Sequence, residues 1–209
     1  VPPDVRKGSA FPGNWLLKLF AAMPPLRPQE MYISRDNPCY YLTSVANDRL
    51  PVFQTDKIKT IACNALDEAR NSANILIFAY VIMPDHVHLI TNSSRKISEV
   101  LRYANGIVAR RVIDYLKKQN FAGSLEKLRH EEKTNQYKYS LWEHHPNAMS
   151  LTSKAMFMQK VNYIHQNPVR AGLLEQADDY LFSSVRIWKR MPLEKEPLSV
   201  NINEIDWRR

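Results

Sequence analysis

Apolar and polar positions alternate between two periods along the chain. Cys39 to Ala46 (CYYLTSVA) is rich in β-formers and predicts a strand. From Asp56 to Asn71 the apolar residues Ile58, Ile61, Ala62, Ala65, Leu66 and Ala69 recur at helical spacing. Ile75 to Met83 is an unbroken apolar run of strand length, the pattern of a central strand buried on both faces. Pro84-Asp85 is a turn signal, and His86 to Thr91 (HVHLIT) resumes a strand, so the two runs predict a hairpin. Ile97 to Lys118 predicts a long helix. Residues 119–150 are polar and irregular, with a short strand expected around Tyr137 to Trp142. Thr152 to Asn167 predicts a second long helix, with Phe157, Val161 and Ile164 as its apolar stripe and Pro168 as its stop. This order predicts an α+β domain, with helices packed on an antiparallel sheet.

The first thirty residues contain six of the thirteen prolines, which excludes long regular elements there. The expected organisation is a Pro-rich extension over residues 1–35, one domain over 36–190 and a loosely held basic tail over 191–209. No apolar run approaches the roughly 20 residues needed to span a bilayer. Cys39 and Cys63 form no C-x-x-C pair, which fits a reduced, cytoplasmic setting.

The formal net charge of +8 points to an anionic partner, with nucleic acid first and an anionic membrane surface second. Residues 95–138 hold 11 Lys/Arg against 5 Asp/Glu, so most of the excess lies on the long helix and the segment after it. Arg102, Arg110, Arg111, Lys117 and Lys118 are the candidate phosphate contacts there, joined by Lys160 on the later helix.

Two constellations can carry chemistry. His86 and His88 stand two apart on a strand, so both imidazoles share one face, as a pair of metal ligands would. A bare H-x-H is equally an ordinary structural pair, because two ligands alone do not define a metal site. Tyr163 and Asn167 stand four apart on a helix and share a face off the apolar stripe. His144 and His145 are adjacent, project differently and make a poor ligand pair.

Taken together, these blocks resemble a known family. YVIMPDHVHLI (Tyr80 to Ile90) resembles the histidine–hydrophobic–histidine (HUH) signature of single-tyrosine transposases, and YIHQNPVRAGL (Tyr163 to Leu173) resembles the tyrosine segment of the REP-associated tyrosine transposases. The LWEHHPNAM segment and DDYLFSSVRIW (Asp178 to Trp188) are also similar, so the resemblance extends from about Pro38 to Trp188. It implies a ferredoxin-like fold with the HUH strand central in the sheet. It implies single-stranded DNA beside hairpins of the REP type as substrate, acted on by a monomer or homodimer. By position, His86 and His88 become ligands of Mg²⁺ or Mn²⁺, Tyr163 the nucleophile, and Asn167 the third ligand, with Gln166 as the alternative. The rival readings are a DNA-binding protein derived from a transposase but without catalysis, another kind of HUH enzyme, and a zinc hydrolase.

Overall fold

The computed structural model describes residues 33, 38–92, 96–129, 138–144 and 146–205. The Pro-rich extension, Arg95, His130, Tyr137 and His145 lie outside the described residues. Strands β1 (Cys39–Val45), β2 (Ile77–Ile82), β3 (His86–Thr91) and β4 (Asn147–Leu151) form one antiparallel sheet in the order β2-β3-β1-β4. With helices α1 (Asp56–Ala73) and α2 (Ile97–Lys118) inserted after β1 and β3, this is the βαββαβ arrangement of a ferredoxin-like fold. Strand β3, which carries His86 and His88, is interior, flanked by β1 and β2. No described helix is long and apolar enough to cross a membrane.

β2 is buried on both faces, as its unbroken apolar run predicts. β1 and β3 alternate. Leu42, Ser44, Val87 and Leu89 point to one face, and Ser44 Oγ donates to Asn105 Oδ1 of α2 at 2.7 Å. Tyr41, Thr43, His86 and His88 point to the other face, where α4 (Lys154–Arg170) packs. The N-cap of α1 is Thr55, whose hydroxyl accepts from Ile58 N–H. Ser153 caps α4 by accepting from Met156 N–H. Phe157, Val161 and Ile164 bury the stripe of α4 against the sheet.

Four expectations are corrected. The fourth strand is Asn147–Leu151, whereas the segment around Tyr139 to Trp142 makes only isolated bridges, Arg129 to Tyr139 and Ala46 to Trp142. A short helix α3 (Ala122–Lys127) lies within the segment expected to be irregular. α4 does not stop at Pro168 but continues to Arg170. A proline so near the end removes one N–H without ending the last turn, and the chain leaves at Gly172 in a left-handed conformation (φ +68°).

The fourth correction concerns the tail. Its described part, 191–205, is held against the sheet rather than loose. Asn201 N–H donates to Ile77 O, its side-chain oxygen accepts from Ile77 N–H, and Leu198 is buried. Upstream, Ser183 bridges Val81, Tyr180 Oη donates to Ile82 O at 2.7 Å, and a short helix α5 (Val185–Trp188) follows. The buried Arg186–Glu196 pair, at 3.1 Å, ties these segments together. The outer edge of β2 is thereby covered.

Candidate active site

Strand alternation sends His86 and His88 into a cavity of about 460 Å³ between the sheet and α4. Their rings meet edge to face with centroids 4.7 Å apart. His88 lies opposite Thr43 of β1, so its Nδ1 sits 2.9 Å from both Tyr41 Oη and Thr43 Oγ1. Its Nε2 is buried and has no hydrogen-bond partner among the described residues. Burial, aided by the neighbouring His86 and Lys160 and opposed by Asp85, lowers the pKa of His88 to about 3. The ring is therefore a neutral imidazole. A buried imidazole nitrogen without a partner incurs a desolvation cost of about 1–3 kcal/mol, which a ligand at Nε2 would relieve.

His86 Nδ1 lies 2.6 Å from Asp85 Oδ1, and the other oxygen of that carboxylate accepts from Arg49 at 3.2 Å. A carboxylate at Nδ1 selects the tautomer with the proton on Nδ1, so His86 keeps Nε2 as the nitrogen left for a ligand.

Tyr163 enters from α4. Its ring is 5.6 Å from that of His88 and 6.2 Å from that of Tyr41, edge to face in both cases. Asn167, one turn later and only 9% exposed, lines the same cavity. Its backbone is helical even though Pro168 follows, so the i+4 relation to Tyr163 holds. Gln166 is not among the lining residues. Lys160 Nζ lies 5.3 Å from the Tyr163 ring and 4.8 Å from that of Tyr41, and the Arg170 guanidinium is 5.1 Å from Tyr163 on another side. The nucleophile candidate is thus flanked by two cations in a cavity that also holds Arg49, a setting matched to a phosphodiester.

The expected residues His86, His88, Tyr163, Asn167 and Lys160 therefore share one cavity. The basic residues of α2 lie elsewhere. Arg102, Arg110 and Lys117 line a separate groove, Arg111 forms a two-pronged pair with Glu68 (2.9 and 2.8 Å), and Lys118 lines neither concavity. Sequence reasoning missed Tyr41, Thr43, Arg49, Asp85, Asn147 and Arg170. Only Asp85 carried a local signal, as the neighbour of the first histidine. His165 is buried, and its Nε2 meets Ser184 Oγ at 2.9 Å, so it serves the packing of α4.

A family model described as "Transposase IS200 like" matches residues 35–167, which include both cavity histidines and Tyr163 and end at Asn167. Among solved structures, the chain is similar to a REP-associated tyrosine transposase bound to a REP hairpin. The TM-score is 0.53 at 16% identity, covering 86% of this chain and 93% of that one. A Deinococcus radiodurans R1 protein assigned as a transposase matches with a TM-score of 0.43 at 19% identity, covering 62% of this chain and 90% of that one. At these identities the first likeness speaks for the fold. A search among curated proteins finds no match.

Proposed function

We propose that this chain, which belongs to the IS200-like transposase family, cleaves and rejoins single-stranded DNA beside hairpins, with Tyr163 as nucleophile. The observation that carries this reading is the convergence of Tyr163 with His86 and His88 in one cavity, where the buried His88 Nε2 has no hydrogen-bond partner among the described residues. The like-folded neighbour is bound to a REP hairpin, which supports a hairpin of that kind as partner. Its place of action is then genomic DNA in the cytoplasm.

Tyr163 Oη attacks the phosphorus of the scissile phosphodiester and gives up its proton. The Tyr–O–P bond forms as the bond from phosphorus to the 3′ oxygen breaks. That oxygen takes a proton and leaves as a free 3′-OH. The product is a 5′-phosphotyrosine, and attack by a 3′-OH on it reverses the step. The phosphodiester bond energy is conserved in the intermediate, so no nucleotide is consumed. Lys160 and Arg170 lie beside the Tyr163 ring, where their charges favour the approach of a phosphate.

The donor set fits a divalent cation. His88 is neutral with an unpartnered Nε2, His86 is oriented by Asp85, and Asn167 offers an amide oxygen. These three would hold Mg²⁺ or Mn²⁺, which supplies charge neutralisation on the non-bridging phosphate oxygens. Among the described residues no three His, Cys, Asp or Glu side chains gather as a closed zinc site would require.

The test is a denaturing gel. A labelled single-stranded hairpin from the protein's own genomic neighbourhood, incubated with the protein and Mn²⁺, should yield a covalent adduct that Tyr163→Phe abolishes. Binding by that variant should persist, because only a hydroxyl is lost and the ring remains. An adduct of unchanged yield in Tyr163→Phe would overturn the assignment. Binding with no adduct in the unmodified chain would favour the inactive, DNA-binding reading.

A further inference from the structure

On the opposite face of the sheet lies a second, larger concavity of about 1000 Å³, walled by α2 and by residues 138–144. Its position follows from strand alternation. Thr43 and Val45 line the catalytic cavity, whereas Ser44 between them reaches Asn105 of α2. At the end of β1, Ala46 bridges Trp142 of the groove wall, and the chain then runs on to Asn147 in the catalytic cavity. Trp142 of the groove wall and Asn147 of the catalytic cavity thus stand a few residues apart in the chain.

The chemistry of the groove is that of a polyanion site. α2 buries Val100, Ala104, Val108, Val112 and Leu116. At about 100° per residue, Arg102, Arg110 and Lys117 fall on the side diametrically opposite that stripe, spaced roughly 10–12 Å apart along the axis. All three are exposed and line the groove, and Lys138 adds a fourth cation from the facing wall. Of the two lining carboxylates among the described residues, Glu68 is engaged by Arg111, which leaves Asp114 beside the four cations. The half-buried Tyr139 ring lies between two of them, with Lys117 Nζ at 5.4 Å and Lys138 Nζ at 5.5 Å. In the middle of this face stands Gly106. Among the described residues nothing would meet a side chain there, so their packing does not require a glycine, and a glycine weakens the helix interior. A glycine in the wall of a cationic groove allows a ligand close to the backbone.

We infer that this groove is a second nucleic-acid subsite that seats single-stranded nucleotides flanking the hairpin, with Arg102, Arg110 and Lys117 each on a separate phosphate along the strand and Tyr139 against a base. A cationic groove with an aromatic platform suits a single strand, whose bases are free to stack. This rests on the reading of the protein as a single-strand DNA enzyme, and it supplies the path by which the strand beyond the cut is held.

The test compares one hairpin carrying short flanks with the same hairpin carrying flanks long enough to fill a single-strand site, roughly 4–16 nucleotides. Affinities are read by fluorescence anisotropy across a salt series. The unmodified chain binds the long-flank DNA more tightly and with the steeper salt dependence. In a variant combining Arg102→Gln, Arg110→Gln and Lys117→Gln, that extra tightening disappears, and the log–log salt slope for long-flank DNA becomes shallower by about 2, at about 0.7 per single-strand phosphate. Gly106→Leu, which fills the groove without changing charge, also loses the extra tightening. Thermal melts confirm that both variants fold. The inference is overturned if the unmodified chain gains nothing from the flanks or if the gain survives in the variants. It is equally overturned if short- and long-flank affinities fall by the same factor, which would put the stem in the groove. Adduct formation by the unmodified chain reports separately on the cleavage reading. An adduct alongside unaltered flank dependence sinks only the groove, whereas lost flank dependence without any adduct sinks only the cleavage.

Discussion

Asp85→Asn is the substitution that best isolates how the cavity would be prepared for the proposed metal ion. Asp85 is partly exposed and reaches two partners, His86 Nδ1 at 2.6 Å and Arg49 at 3.2 Å. The asparagine is nearly isosteric, so the turn at Pro84-Asp85, held by the backbone bonds Ala46 N–H to Asp85 O and Phe53 N–H to Pro84 O, should survive. What changes is the tautomer preference. A carboxylate can only accept, so it demands a proton on His86 Nδ1 and keeps Nε2 as a lone pair. An asparagine can turn its NH₂ toward Nδ1, which places the proton on Nε2 and closes that ligand position. Loss of such an outer partner typically lowers metal affinity by about 10–100-fold, or roughly 1.4–2.8 kcal/mol. The assay is an Mn²⁺ titration followed by electron paramagnetic resonance on the whole protein without DNA, paired with cleavage measured against Mn²⁺ concentration. The expected result is a dissociation constant raised by that factor, with maximal cleavage recovered at saturating metal. An unchanged dissociation constant would refute the argument that Asp85 orients His86.

Two further predictions follow from α4. Asn167→Asp should retain cleavage, since a carboxylate is a competent hard ligand, whereas Asn167→Ala should raise the Mn²⁺ needed for half-maximal cleavage; a titration unmoved by alanine would remove Asn167 from the ligand set. Gly172→Ala should destabilise by about 1–2 kcal/mol, because a left-handed residue (φ +68°) ends the helix there, and should lower Tm by a few degrees without moving the metal titration. An unaltered melt would mean that the chain leaves α4 by another route.

Much of this molecule was legible in the sequence where the signal is local. The apolar run of β2, the H-x-H of β3 and the helical spacings of α1, α2 and α4 each specify an element within their own span. β4 was missed because Asn147–Leu151 is a largely exposed edge strand with a single buried residue, so burial imposes no alternation on it. Pro168 misled because a proline's effect depends on how much helix remains after it, and here only two residues do. The rest of the site was illegible for a topological reason. Tyr41 and Thr43 touch His88 only through the β1–β3 register, and Arg49 reaches Asp85 across 36 residues. The division of the basic residues of α2 was likewise hidden, since Arg111 and Arg110 are neighbours in sequence but face Glu68 and the groove respectively.

The covering of the β2 edge by residues 180–205 limits how copies of this protein can associate. An open strand edge is a template for backbone pairing with another chain. With β2 covered, the sheet can be extended from one side only, through β4, which among the described residues pairs only with β1. Pairing of β4 with another β4 is self-complementary and leaves no second template, so association by strand addition ends at a closed two-fold pair and cannot propagate into a filament. A chain shortened so that Asn201 no longer engages Ile77 and Arg186 loses Glu196 would uncover the Ile77 end of that edge and weaken that safeguard.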